Sequence, residues 1–272
     1  MLRLPKGMNE YSGKNVYKMQ ELLENSEVPM SVSGIMKSRL KQGIEFHDLW
    51  AYGNNTSDLV VYPKENYKEV YVFLTTNNQG QITKNGRKAL DLIKFDNLAS
   101  NNGAVVEQLK DLGRKGLIKV PRNKITHGNY LPKDRILDEQ VWRILARHPD
   151  EVPAEFAEDK ELLKEYSKEV EFRTENSKNM ALYIGNSLKN QTTLKMWYIS
   201  GLLYGSNAGS MHDLNSGDGC LLGIAPDALG KGALNRDKGV NVYPQNKIER
   251  ALEELGFPGL TKTLMDKLGE EK

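Results

Sequence analysis

The chain has 272 residues, of which 39% are apolar and 27% charged, with a formal net charge of +2. That is a globular composition, long enough for one large domain or two modest ones, and it excludes wholesale disorder. Cys220 is the single cysteine, which excludes an intramolecular disulfide and fits a reducing compartment.

No apolar run reaches the ~18 residues of a membrane-spanning helix. The opening MLRLPKGMNEYSG lacks the apolar segment of a secretory signal. The expectation is a soluble cytoplasmic protein without a membrane partner. Charge is spread unevenly: residues 1–130 carry 19 Lys and Arg against 13 Asp and Glu, and residues 131–190 carry 10 against 13. A basic front half and an acidic middle point to two units.

In chain order, Lys14–Asn25 reads as a short helix with Val16, Met19, Leu22 and Leu23 on one face. Ser31–Lys41 reads as a second, with Ser31 as its cap. Leu59–Tyr62 and Glu69–Thr75, rich in valine and aromatics, are strands, the second apolar enough to be central. Thr83–Lys94 opens on a threonine cap, and Gly103–Gly113 reads as a helix with Gly113 as its stop. Gly116–Val120 is a short strand. Arg122–Lys133 is polar and is the candidate domain boundary. Helices are expected over Asp138–Arg147 and Ala154–Glu171, while Met180–Ile184 is too short for periodicity to decide. Thr192–Tyr204, TTLKMWYISGLLY, is apolar on nearly every side and reads as a helix buried at the centre of a core. Gln245–Leu255 and Leu260–Leu268 read as a closing helical pair.

Three constellations bear on function. Val105–Lys124, VVEQLKDLGRKGLIKVPRNK, is a helix, a glycine, a basic pair and then GLIKV. It resembles the junction of recognition helix and wing in winged helix-turn-helix proteins. That resemblance implies nucleic acid as partner, with Lys110, Arg114, Lys115, Lys119, Arg122 and Lys124 facing phosphates. The chain departs from the family after Val120, where Arg122–Tyr130 offers no second wing strand. A solvated basic helix end gives the same residues.

The glycine-rich loop after the apolar run holds His212, Asp213, Asn215 and Asp218. Asp213 and Asn215 have the spacing that opens a calcium loop, and with Asp218 they form a candidate metal set. The turn glycine falls at 219, one place late, and Ile224 stands where a closing acid is needed. A surface turn uses these residues equally well. Cys220 with His212 is the third constellation: a thiol beside an imidazole can be a nucleophile, but free cysteine is more often a small buried hydrophobe. Phosphate-binding glycine loops are excluded by spacing, and the sequence names no cofactor.

The fold class expected is therefore α+β: a small sheet with helices in the N-terminal half, and a mostly helical C-terminal half around a buried helix over 192–204. The units would be 1–125, basic, and 133–272, mainly helical, unless the two form one domain. Two functions are carried forward. One is a binding protein whose basic N-terminal half contacts nucleic acid. The other is an enzyme or ion-binding protein using the loop around Asp213.

Overall fold

The computed structural model describes residues 4–42, 47–63, 68–93, 116–128, 130–131, 133–174, 180–185, 193–202, 205–210, 219–225 and 228. The chain divides into two compact units, Met1–Ala233 and Leu234–Lys272; every described residue belongs to the first. Its elements are β1 (Met8–Tyr11), α1 (Asn15–Glu24), β2 (Val28–Pro29), α2 (Val32–Gln42), α3 (His47–Ala51), β3 (Asn54–Tyr62), β4 (Glu69–Phe73), α4 (Lys84–Ile93) and β5 (Leu117–Pro121). A 3₁₀ turn, Arg122–Lys124, follows. Then come α5 (Lys133–Ile136), α6 (Gln140–Leu145), α7 (Leu162–Thr174), β6 (Leu182–Tyr183), β7 (Thr193–Ile199), β8 (Ala208–Gly209) and β9 (Cys220–Ile224).

These strands form one nine-stranded mixed sheet, which corrects the α+β expectation. Its main path runs β1-β9-β3-β7-β8-β6, with β2 also on β9, and with β4 on β3 and β5 on β4. β3 is the organising strand. Its first residues, Asn54 and Asn55, run parallel to Cys220 and Leu221 of β9. Its last residues, Leu59–Val61, run antiparallel to Tyr71–Phe73 of β4. β7 lies antiparallel along both parts.

The residues expected to form a buried helix over 192–204 are therefore a strand. Leu194, Met196, Trp197 and Ile199 are buried as expected, but in a β conformation. The reason is two-sided burial. Trp197 and Ile199 face one core with Val60, Tyr62, Val70, Val72 and Leu222. Leu194 and Met196 face a second core with Leu59, Val61, Phe73 and Leu221. A strand covered on both faces loses its polar alternation and reads like a helix buried all round.

Helices supply both covers. Ile35 and Met36 of α2, Val141 and Ile144 of α6, and Leu163, Tyr166 and Val170 of α7 close the first face. Met19, Leu22 and Leu23 of α1, with Ala89 and Leu90 of α4, close the second. The expected caps are present. Ser31 Oγ accepts the Gly34 amide at 3.1 Å, and Thr83 Oγ1 accepts the Gly86 amide at 2.9 Å.

Two buried arginines tie the first face together. Arg39 of α2 donates to the carbonyls of Leu49, Tyr52 and Ser200 and to the hydroxyls of Tyr166 and Ser206. Its guanidinium also lies over the Trp50 ring, which stacks on Tyr166 with centroids 5.6 Å apart. Arg147 pairs with Asp58, both side chains wholly buried. Asp58 belongs to a bulge: the register of β3 on β7 shifts between Asn55 and Leu59. Thr56, Ser57 and Asp58 thus leave the regular ladder, and all three are buried. Thr56 bonds the Trp197 carbonyl, Ser57 donates its amide to Met30, and Asp58 accepts the Val32 amide at the start of α2.

Candidate functional site

The sequence-derived basic set is only partly within the described residues. Lys110, Arg114 and Lys115 lie outside them, and so do His212, Asp213, Asn215 and Asp218. Lys119 projects from β5 and forms an ion pair with Glu69 of β4. Lys124 is exposed on the 3₁₀ turn. Arg122 is turned along the end of the sheet, where Nη2 donates to the Gly185 carbonyl at 3.3 Å.

Arg122 thereby lines a pocket of about 150 Å³ with Ile125, His127 and Ile184. The architecture that makes it is local on one side only. β5 delivers the chain to the 3₁₀ turn, and the Arg122 amide donates to Lys68 O at 2.7 Å, which fixes where the turn begins. Three residues past that turn, His127 bridges in parallel to Leu182 of β6. The Gly128 amide reaches the Leu182 carbonyl at 2.8 Å.

This pairing sets the imidazole. His127 Nδ1 accepts the Ile184 amide at 2.9 Å. The ring nitrogen that carries hydrogen in the neutral imidazole is then Nε2. Tyr183 meets the ring edge-on, with centroids 6.1 Å apart. The described residues that line the pocket are thus an arginine, a histidine and two isoleucines.

Behind the pocket, the sheet holds the other side of Gly185. Its amide donates to Tyr62 Oη at 3.0 Å, and Tyr62 is hydrogen-bonded to Ser210. Lys195 Nζ comes close to the same glycine: a Cβ placed on Gly185 would lie 3.5 Å from it and 2.9 Å from the Ser210 carbonyl. Burial pushes the Tyr62 phenol up to about 12, against the opposing pulls of the Ser210 bond, the Gly185 amide and the Arg122 charge. Tyr62 is thus a neutral hydroxyl at neutral pH.

Cys220 has a similar standing. Its thiol is buried at the start of β9, 3.1 Å from Asn54 Oδ1 and 3.8 Å from the Gly53 carbonyl. Burial pushes it up to about 11, with Glu10 adding to the shift and Lys18 opposing it. A thiol held protonated is a poor nucleophile.

Sequence reasoning missed this pocket. Arg122 was singled out for a different role, facing phosphates. Ile184 and Gly185 lie 57 and 58 residues beyond His127, so only strand pairing brings them together. The one local sign was the polar stretch Arg122–Lys133 itself.

No protein-family model matches the chain, and no curated protein matches it. Among solved structures, the chain is similar to a Nanoarchaeota protein described as "Accommodation of massive sequence variation in Nanoarchaeota by the C-type lectin fold". The TM-score is 0.50 at 11% identity, over 82% of this chain and 98% of that one. Such a likeness shows the fold alone. It agrees with the observed sheet: the described unit has the β-rich C-type lectin fold. Among the described residues, no helix is long and apolar enough to cross a membrane.

Proposed function

We propose that the chain is a binding protein that takes an anionic ligand in the pocket of Arg122 and His127. The observation that carries this reading is the pocket's lining, which brings the side chains of Arg122 and His127 to one space. Arg122 is anchored by the Gly185 carbonyl and His127 by the Ile184 amide, so both are positioned before any ligand arrives. Arginine with a second N–H donor is a common way to hold a carboxylate or phosphate. Fold by itself assigns no activity. A scaffold described elsewhere as accommodating massive sequence variation is nonetheless a suitable carrier for a binding role.

Binding is favoured over nucleophilic catalysis at the described positions. Cys220 and Tyr62 are both held protonated by burial, which makes each a poor nucleophile. Nucleic acid is the extended form of the same chemistry, reached through Lys119, Arg122 and Lys124. A compact anion is favoured over a strand of phosphates, because Lys119, one of these three cations, is already paired with Glu69.

The test is an NMR titration of the whole chain at low salt. Acetate, phosphate and a short oligonucleotide are added in turn, and the Arg122 Nε–H and His127 ring signals are followed. Saturable shifts with a small anion, lost in Arg122→Gln, are expected. Silence from every anion would remove the reading. Binding of the oligonucleotide alone, falling steeply with salt, would favour nucleic acid instead.

A further inference from the structure

The pocket's walls say more about its occupant than its charge does. Among the described residues, Ile125 and Ile184 are two of the four that line it. They offer neither donor nor acceptor, so they reward an apolar group and leave a polar one unsatisfied. A phosphate carries three peripheral oxygens beyond its ester link, and its heavy hydration must be replaced on binding. Arg122 and His127 can meet two oxygens; the others would face isoleucine. A carboxylate has two oxygens in one plane, which suits a planar guanidinium with one further N–H. The volume, about 150 Å³, is the size of cavity that holds a benzene ring.

We infer that the ligand is a carboxylate carried on a small apolar body of about six heavy atoms, its oxygens on Arg122 and His127 and its body between Ile125 and Ile184. This rests on the anion-binding reading of the same pocket. A free short-chain or aromatic acid has this chemistry, and so does the C-terminal residue of a peptide ending in an apolar side chain. Each methylene buried between the isoleucines should strengthen binding about fourfold.

The experiment is a calorimetric and NMR comparison of benzoate, isobutyrate, N-acetylvaline, acetate, inorganic phosphate and benzamide, at matched ionic strength, on the whole chain. Benzoate or isobutyrate should bind at least about tenfold more tightly than acetate. Benzamide, which has the body without the charge, should not compete. Arg122→Gln should abolish the binding while leaving the amide spectrum folded. Ile125→Thr, at a partly exposed wall, should weaken benzoate several-fold and acetate, whose body is a single methyl, by less. N-acetylvaline binding as well as isobutyrate would identify a peptide terminus as the source, and its exclusion a free acid; each is support.

Three results would overturn the inference. Acetate or phosphate matching benzoate would show that the body contributes nothing, and the anion-binding reading would survive alone. Benzamide matching benzoate would show an apolar site indifferent to charge. Binding that persists in Arg122→Gln would place the ligand elsewhere, and both readings would fall.

Discussion

Arg147 shows how much a single residue can be asked to do. It has a left-handed backbone, φ +63°, and a side chain with no exposure. Its guanidinium bonds Asp58 and both oxygens of Thr76, and lies over the Phe156 ring at 5.9 Å. Burial pushes the Asp58 carboxyl above its ordinary value, while Arg147 and the amides of Val32 and Thr75 pull it back. Removing the cation strands the carboxylate in a dry site. Arg147→Met should cost about 3–5 kcal/mol in urea unfolding. The double variant Arg147→Met with Asp58→Asn should cost clearly less than the two single changes summed, because each single leaves an unmatched partner. Strict additivity would show that the pair is not coupled. Tyr62 and Cys220 give a second, pH-dependent expectation. Both are raised in the folded state, from 10.0 to about 12 and from 9.0 to about 11. Between the unfolded and folded values, the folded chain holds a proton that the unfolded chain has lost. Stability is therefore full below pH 9 and falls as pH rises through 11 and 12, by about 1.4 kcal/mol per unit for each group. Unfolding curves at pH 8–11 should show this slope, and Cys220→Ala should flatten its lower part. A Cys220 thiol that reacts with iodoacetamide at pH 7.5 as fast as a free thiol would contradict the buried, protonated state.

At the scale of elements, β3 and its bulge make the sheet possible. The extra residues at 56–58 separate the part of β3 that pairs with β9 from the part that pairs with β4, while β7 lies along both. The polar identity of Thr56 and Asp58 follows, since their side chains bond the Trp197 carbonyl and the Val32 amide outside the ladder. Helix α4 shows a different constraint. Its amphipathic Lys84–Ile93 run begins against β4's exit, and Gly86 passes so near the Thr75 carbonyl that a Cβ would sit 1.9 Å from the oxygen. Alanine is about 1 kcal/mol better than glycine inside a free helix. Here Gly86→Ala should destabilise the protein, because backbone must move to admit the methyl. A thermal melt in which Gly86→Ala raises the midpoint would show that α4 sits farther from Thr75.

At the scale of the whole described unit, one sheet divides two hydrophobic cores, and helices close each. The strands β3, β4, β7 and β9 each place buried side chains in both cores. Opening them exposes both cores together. Amides of Leu59–Val61 and of the β7 residues paired with them should therefore exchange with deuterium only through global unfolding. The two-residue strands β6 and β8 have few ladder bonds and should exchange faster. The candidate pocket lies beside β6, so its Ile184–Gly185 wall can adjust without disturbing the centre of the sheet. Equal protection across β3 and β6 would rule out that gradient.

Local chemistry was legible from the sequence alone. Ser31 and Thr83 announced their caps because a cap depends on residues three places apart. Val60, Val70 and Val72 marked strands, and the helix expected over Ala154–Glu171 is present from Leu162 as α7, because each pattern repeats within one element. The conformation of Thr193–Ile199 was decided only in three dimensions: helix and two-sided strand both require an uninterrupted apolar run, and only the neighbouring strands distinguish them. The same holds for Arg122, His127 and Ile184. Their residue types are visible in the chain, but the pocket exists because β5, β6 and the turn between Arg122 and Gly128 meet at one end of a sheet. The sequence carries the donors, and the tertiary pairing decides what they face.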